Sequence, residues 1–112
     1  MGIIKGSKVT PTVISQGVSR YLAHLPNLMM VVVDFENGPA SQPDPPHSHP
    51  HEQISYVVSG EINVVIENEI TRLKPGDLFT VPPNLPHSIQ LLTPKARLID
   101  AFTPIREEFL KK

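Results

Sequence analysis

Apolar and β-branched residues fall in short runs along this chain, separated by breaks rich in proline, glycine and asparagine. The runs Leu28–Phe35, Gln53–Ser59, Ile62–Glu67, Leu78–Val81, Ser88–Leu92 and Ala96–Phe102 span four to eight residues each, the length and composition of β-strands. The breaks carry turn chemistry. Ser59-Gly60 and Glu67-Asn68 read as hairpins, Lys74-Pro75-Gly76-Asp77 as a Pro-Gly turn, and Pro82-Pro83-Asn84-Leu85-Pro86 as a rigid loop. Many short antiparallel strands at this spacing predict a sandwich or small barrel. Helical features appear only in the last segment, Pro104–Lys112, where proline stands at a tolerated first-turn position and Glu107/Lys111 and Glu108/Lys112 are i,i+4 pairs. A short C-terminal helix is therefore expected.

The length, 112 residues, predicts one domain over residues 1–112, and 39% apolar residues suffice for a core without staples. Ten Lys and Arg, scattered from Lys5 to Lys112, oppose eleven Asp and Glu, which leaves no basic footprint for nucleic acid. The chain has no cysteine. Disulfides, thiolate catalysis and Cys-ligated metals are excluded, so any metal must rest on imidazole, carboxylate or amide groups. The start MGIIKGSKV lacks an apolar signal core, Gly6 stands where a myristoylation signal needs Ser or Thr, and the longest apolar run, Leu28–Val33, is too short to span a bilayer. A cytoplasmic location with no membrane partner is the default expectation.

Thirteen prolines punctuate the chain, five of them in Asn37–Pro50. Such a segment can be a linker or a partner ligand. Between two strands of one small domain it reads better as a stiff ordered loop that aims the segment Pro46-His47-Ser48-His49-Pro50-His51-Glu52-Gln53. In extended backbone, residues 47, 49, 51 and 53 point to one face, bringing three imidazoles and an amide to one place. Such donors suit a divalent transition metal such as Ni, Mn, Fe, Co or Zn. A merely polar surface loop that binds metal as a tag does is the bland alternative, and a distant partner is needed to decide.

Gly76-Asp77-Leu78-Phe79-Thr80-Val81-Pro82-Pro83-Asn84-Leu85-Pro86-His87 supplies that partner. With it the chain resembles the cupin superfamily, whose motifs run G-x5-H-x-H-x3,4-E-x6-G and G-x5-P-x-G-x2-H-x3-N. His47, His49, Gln53 in the glutamate place and Gly60 follow the first motif; Gly76, Pro82 and His87 follow the second. The departures are Ser41 for the first glycine (Gly38 is nearby), Gln53 for Glu, Asn84 for the second motif's glycine and Leu91 for its Asn. The resemblance implies an all-β, small double-stranded β-barrel of the jelly-roll type, with a metal held by His47, His49, Gln53 and His87. A neutral amide in place of a carboxylate leaves the ion its full charge, which favours anionic oxygen ligands. Loss of Glu in a dead site is the competing reading of Gln53. His51 stands where the family pattern skips, so it is expected behind the ligands or in the pocket wall; Glu52 stays unassigned.

The run His47-Ser48-His49-Pro50-His51-Glu52-Gln53 with Tyr56-Val57 and Gly60-Glu61, and the tail Asp100-Ala101-Phe102-Thr103-Pro104-Ile105-Arg106-Glu107-Glu108-Phe109-Leu110, are similar to the pectin-degradation cupins. That resemblance implies ring opening of 4,5-unsaturated uronates, from pectin or alginate, to linear 5-keto-4-deoxyuronate. The reaction needs neither redox cofactor nor covalent nucleophile; a proton-moving carboxyl and an anion-fixing cation suffice beside a metal. Asp100 shares strand parity with Leu98 and Phe102, and on a lumenal face desolvation should raise its pKa. Arg106 is the candidate for gripping a carboxylate, and Phe102 for walling the sugar. A structural hydrogen-bonding Asp and a solvated Arg beside Glu107 and Glu108 are the plain alternatives. The implied partner is a small-molecule anionic sugar acid. A homodimer pairing through a strand near Thr12–Ser15 is a further expectation. A metal-dependent dioxygenase and a non-catalytic sugar-binding or sensor cupin are the rival functions.

Overall fold

The computed structural model describes residues 2–110. Among them are nine strands: β1 (Thr12–Ser15), β2 (Val18–His24), β3 (Met29–Phe35), β4 (Glu52–Ser59), β5 (Ile62–Ile66), β6 (Glu69–Leu73), β7 (Leu78–Val81), β8 (His87–Leu91) and β9 (Ala96–Thr103). They pair antiparallel in a six-stranded sheet, β1-β2-β3-β9-β4-β7, and a three-stranded sheet, β6-β5-β8. This is the jelly-roll barrel that the cupin resemblance implies, within the sandwich-or-barrel class that the run-and-turn pattern predicts. No helix among the described residues is long and apolar enough to cross a membrane.

Each apolar run becomes a strand with ends shifted by a residue or so. The turns behave as their chemistry requires. Glu67 and Asn68 both take positive φ, 50° and 67°, the pattern of a type I′ hairpin. The hairpin expected at Ser59-Gly60 is corrected: β4 and β5 lie in different sheets, and Gly60, with φ of 75° and no room for a Cβ against the Lys95 carbonyl, turns the chain from one sheet to the other.

Two strands have weak sequence signals. In β2 an arginine, Arg20, interrupts the inward series Val18 and Leu22, which packs on the core. In β6 four of five residues are exposed; pairing to β5, not burial, makes it a strand.

The expected C-terminal helix is corrected to one 3-10 turn, Glu107–Leu110, closed by Phe109 N–H donating to the Arg106 carbonyl at 2.9 Å. Ile105 and Phe109 both pack against the core, and the chain between them makes a single tight turn. Arg106 accordingly precedes a turn, not a helix. The pairs Glu107/Lys111 and Glu108/Lys112 lie outside the described residues.

The proline-rich segment is a stiff cover for the edge of β8. Ala40, Asp44 and His47 donate backbone N–H groups to the carbonyls of Leu91, Ile89 and His87, and His87 N–H returns a bond to His47. Prolines fall at the intervening positions, where no donor is required.

Two apolar clusters fill the interior. Val57, Ile62, Val64, Ala96 and Leu98 form one; Met29, Val31, Val33 and Phe102 form the other, capped by Ile105 and Phe109.

Candidate metal centre

Between the sheets lies a cavity of about 210 Å³. Its inner wall is apolar, with Val33, Phe35, Phe79, Ile89 and Leu98. The polar wall carries His47, His87, Gln53 and Asp100, and Arg20, Arg106 and Phe109 join it from β2 and the C-terminal tail.

The histidines come from two separate stretches. His47 and His87 meet through a backbone bridge, which sets their rings 4.3 Å apart, centroid to centroid. From His49 onward, odd-numbered residues point inward: His49, His51 and Gln53 are buried, while Pro50 and Glu52 are exposed. The parity expected of extended backbone thus holds, although regular strand begins only at Glu52. Ring nitrogens of His47, His49 and His87 lie within 4.8 Å of one another. A closed coordination shell needs about 3 to 4 Å between neighbouring donors, a gap that a small turn of the rings closes.

Lone pairs are available where a metal needs them. His87 Nδ1 lies 2.8 Å from the Leu85 carbonyl, which assigns it the proton and leaves Nε2 as acceptor. That Nε2 is buried and has no partner. His49 Nδ1 likewise faces the His51 carbonyl at 3.2 Å, while its Nε2 lies 3.0 Å from Gln53 Oε1. Gln53 directs its NH₂ to Ser55 Oγ at 2.9 Å, so two acceptor atoms confront each other. Both are oxygen or nitrogen lone pairs of the kind that a divalent cation accepts. Partial desolvation at the cavity mouth and the neighbours His87, His49 and Arg106 push the His47 pKa down to about 4. His49 is lowered too, first by burial. Neutral imidazoles at physiological pH are the ligand form, and the donor set fits a divalent transition metal.

The model of the cupin domain matches residues 31–102. The chain is a cupin. It is 42% identical over 85 residues to the pectin degradation protein KdgF of Dickeya dadantii (strain 3937), covering 75% of this chain and 74% of that protein. Its fold superposes on KdgF from Halomonas sp. with a TM-score of 0.88 at 35% identity, over 97% of this chain and 98% of the other. An RmlC-like cupin from Shewanella frigidimarina matches with a TM-score of 0.87 at 34% identity, over 97% and 96% of the two chains. This cupin belongs to the KdgF-type family.

The motif departures are accommodated locally. Asn84, in the second motif's glycine place, adopts φ of 66°, a left-handed conformation that Asn tolerates. Gln53 is buried, with its NH₂ donating to Ser55 Oγ and its Oε1 facing His49 Nε2.

Asp100 faces the cavity opposite Ser55, its cross-strand partner. Ser55 Oγ donates to Asp100 Oδ1 at 2.5 Å. Burial drives the Asp100 pKa up to about 6, against smaller opposing effects of the Ser55 hydrogen bond and the Arg106 charge. Arg106 lines the same cavity and pairs with Glu108 at 2.9 Å. Phe102 is 2% exposed and packs edge-on against His49 at 5.7 Å, so it orients that ring as well as walling the cavity. His51 lies beside His49 and Phe102 but outside the three-histidine group; its buried Nδ1 has no partner. Glu52 points outward.

Ser55 and Arg20 are the site residues that sequence reasoning missed. Ser55 was marked by parity, a small polar residue between Gln53 and Val57 on the inward side of β4. Arg20 was marked only as an arginine in a faint strand.

Proposed function

We propose that this cupin opens the ring of 4,5-unsaturated uronates, released from pectin or alginate, to 5-keto-4-deoxyuronate. The observation that carries the reading is a half-buried carboxyl, Asp100, hydrogen-bonded to Ser55 in the same cavity as a histidine cluster and an arginine, in a chain of KdgF type. The cavity, about 210 Å³, has room for one sugar ring. We further propose His47, His49, Gln53 and His87 as the ligands of a divalent transition metal, Ni, Mn, Fe, Co or Zn. When bound, it supplies Lewis acidity toward substrate oxygens.

The reaction is an isomerisation, so one proton leaves and one returns. Asp100, ionised, takes the proton of the C1 hydroxyl; the C1–O5 bond breaks, leaving an aldehyde at C1 and an enolate across C4 and C5. The same proton goes to C4 and the C5 oxygen becomes a ketone. A carboxyl with a pKa of about 6 suits both halves of this transfer near neutrality. Ser55 holds the carboxyl in place, Arg106 grips the substrate carboxylate, and Phe102 walls the ring and keeps water out. A cytoplasmic homodimer, pairing through the exposed edge strand β1, completes the proposal.

The test is the ultraviolet absorbance of the conjugated enol-carboxylate, which the linear product lacks. Loss of absorbance well above the spontaneous rate, abolished by chelator and restored by divalent metal, is the expected outcome. A fully metallated protein that gives no acceleration counts against the reaction.

A further inference from the structure

Arg20 takes an inward place on β2 between Val18 and Leu22, both of which pack on the core. The strand pattern calls for an aliphatic residue there. Its guanidinium carbon lies 3.6 Å from the centroid of the Phe109 ring, and that of Arg106 lies 4.2 Å from the same centroid. Two cations thus share one aromatic platform, and all three side chains line the cavity. Exposed Ile14, Asp44 and His47 mark where the cavity opens beside them.

The two arginines differ in what balances them. Arg106 has a carboxylate partner in Glu108. Among the described residues the Arg20 side chain makes no hydrogen bond and no ion pair. A guanidinium carries five N–H donors and does not shed its charge, so leaving it without an acceptor beside a second guanidinium is unfavourable. Partial burial and the Arg106 charge lower the Arg20 pKa, against a smaller opposing effect of the Glu108 carboxylate.

We propose that Arg20 is the second arm of an anion clamp: with Arg106 it holds the carboxylate of the sugar acid, and Phe109 spaces the two guanidiniums. The identity of the ligand rests on the uronate reading above; the clamp itself rests on the paired cations. The consequence is selectivity for acidic over neutral sugars, set at a residue outside both cupin motifs.

The test titrates metal-loaded protein with galacturonate, a saturated uronate that cannot react, and with galactose, its neutral counterpart, by calorimetry. Arg20→Gln should bind galacturonate about tenfold more weakly, the loss of one charge-assisted contact, and galactose as the parent does. KM for the unsaturated uronate should rise by a similar factor with kcat little changed. Arg20→Lys, which keeps the charge without the planar fork, should recover part of the loss. Galacturonate binding equal in parent and Arg20→Gln overturns the clamp, as does a parent protein that binds both sugars alike or neither. Equal losses for both sugars overturn it too, because they report a displaced tail. If the parent fails to open unsaturated uronates while Arg20→Gln still loses galacturonate selectively, the reaction falls and the clamp stands.

Discussion

The two ends of the barrel lumen are built from the same strands and differ in almost every other respect. Along β4 and β9 the inward cross-strand pairs run Gln53 with Phe102, Ser55 with Asp100, then Val57 with Leu98. Two residues separate a hydrogen-bonded carboxyl from a dry aliphatic contact. At one end Val57, Ile62, Val64, Ala96 and Leu98 are closed off from solvent, and their burial stabilises the barrel. At the other, buried His49, His51, Gln53, Ser55, His87 and Ser88 are gathered, groups whose desolvation works against folding unless each finds a partner. The polar end rests on the apolar one: a fold anchored by one cluster can carry a cluster of unfavourable buried groups nearby, and those are the groups with chemistry.

The contrast is sharpest in the response to truncation. His49→Ala should lose bound metal, and with it all metal-dependent activity, while the barrel stays folded; metal content and circular dichroism report the two halves, and a molten product would show that the ends are not separable. Leu98→Ala should do the converse, costing about 2 to 5 kcal/mol of stability while the protein still binds metal, as chemical denaturation of the metal-loaded protein would show.

Asp100→Asn should lower kcat by about 10² to 10⁴ without destabilising the protein at neutral pH. The sign follows from the raised pKa. A carboxyl at about 6 in the folded chain holds its proton more tightly there than in the unfolded chain, so its contribution to stability is present below about pH 4 and lost as pH rises through 6. The Asn variant should therefore gain up to about 3 kcal/mol at pH 7 and show a flatter stability profile between pH 4 and 6. In the parent protein the rate should rise with pH through about 6 as Asp100 ionises. A variant less stable at pH 7 would mean that the carboxylate is a structural partner.

Smaller effects probe the polar end alone. Gln53→Glu should keep the metal and weaken uronate binding by about tenfold, because a carboxylate ligand cancels part of the ion's charge; unchanged affinity would remove the charge argument. Ser55→Ala should cost about 1 kcal/mol and shift the rising limb of the pH–rate profile upward, since the hydroxyl that favours the Asp100 carboxylate is gone. A limb that does not move would separate Ser55 from the proton transfer.

Much of this architecture is legible in the chain because its signals are local. Strand length, alternation and turn chemistry act over a few residues, and they marked six strands, the Glu67-Asn68 turn and the inward parity of His49, His51 and Gln53. Where a local signal was weak or misleading, long-range packing decided. β6 is a strand only because β5 lies beside it, and the tail beyond Pro104 makes one tight turn in place of a helix, with Ile105 and Phe109 packed against the core. Spacing could group His47 with His49, but the bridge that seats His47 against His87 joins residues forty apart in sequence.

The sequence alone determined the set of donors, the neutrality of Gln53 and the scale of the fold, since these depend on residue type and local pattern. Tertiary structure alone decided that Ser55 and Asp100 would share a proton-sensitive hydrogen bond and that Arg20 would stand against Phe109 beside Arg106. The reason is physical: hydrogen bonds and like-charge encounters depend on distances of a few ångströms between residues remote in the chain, and only the packed barrel sets those distances.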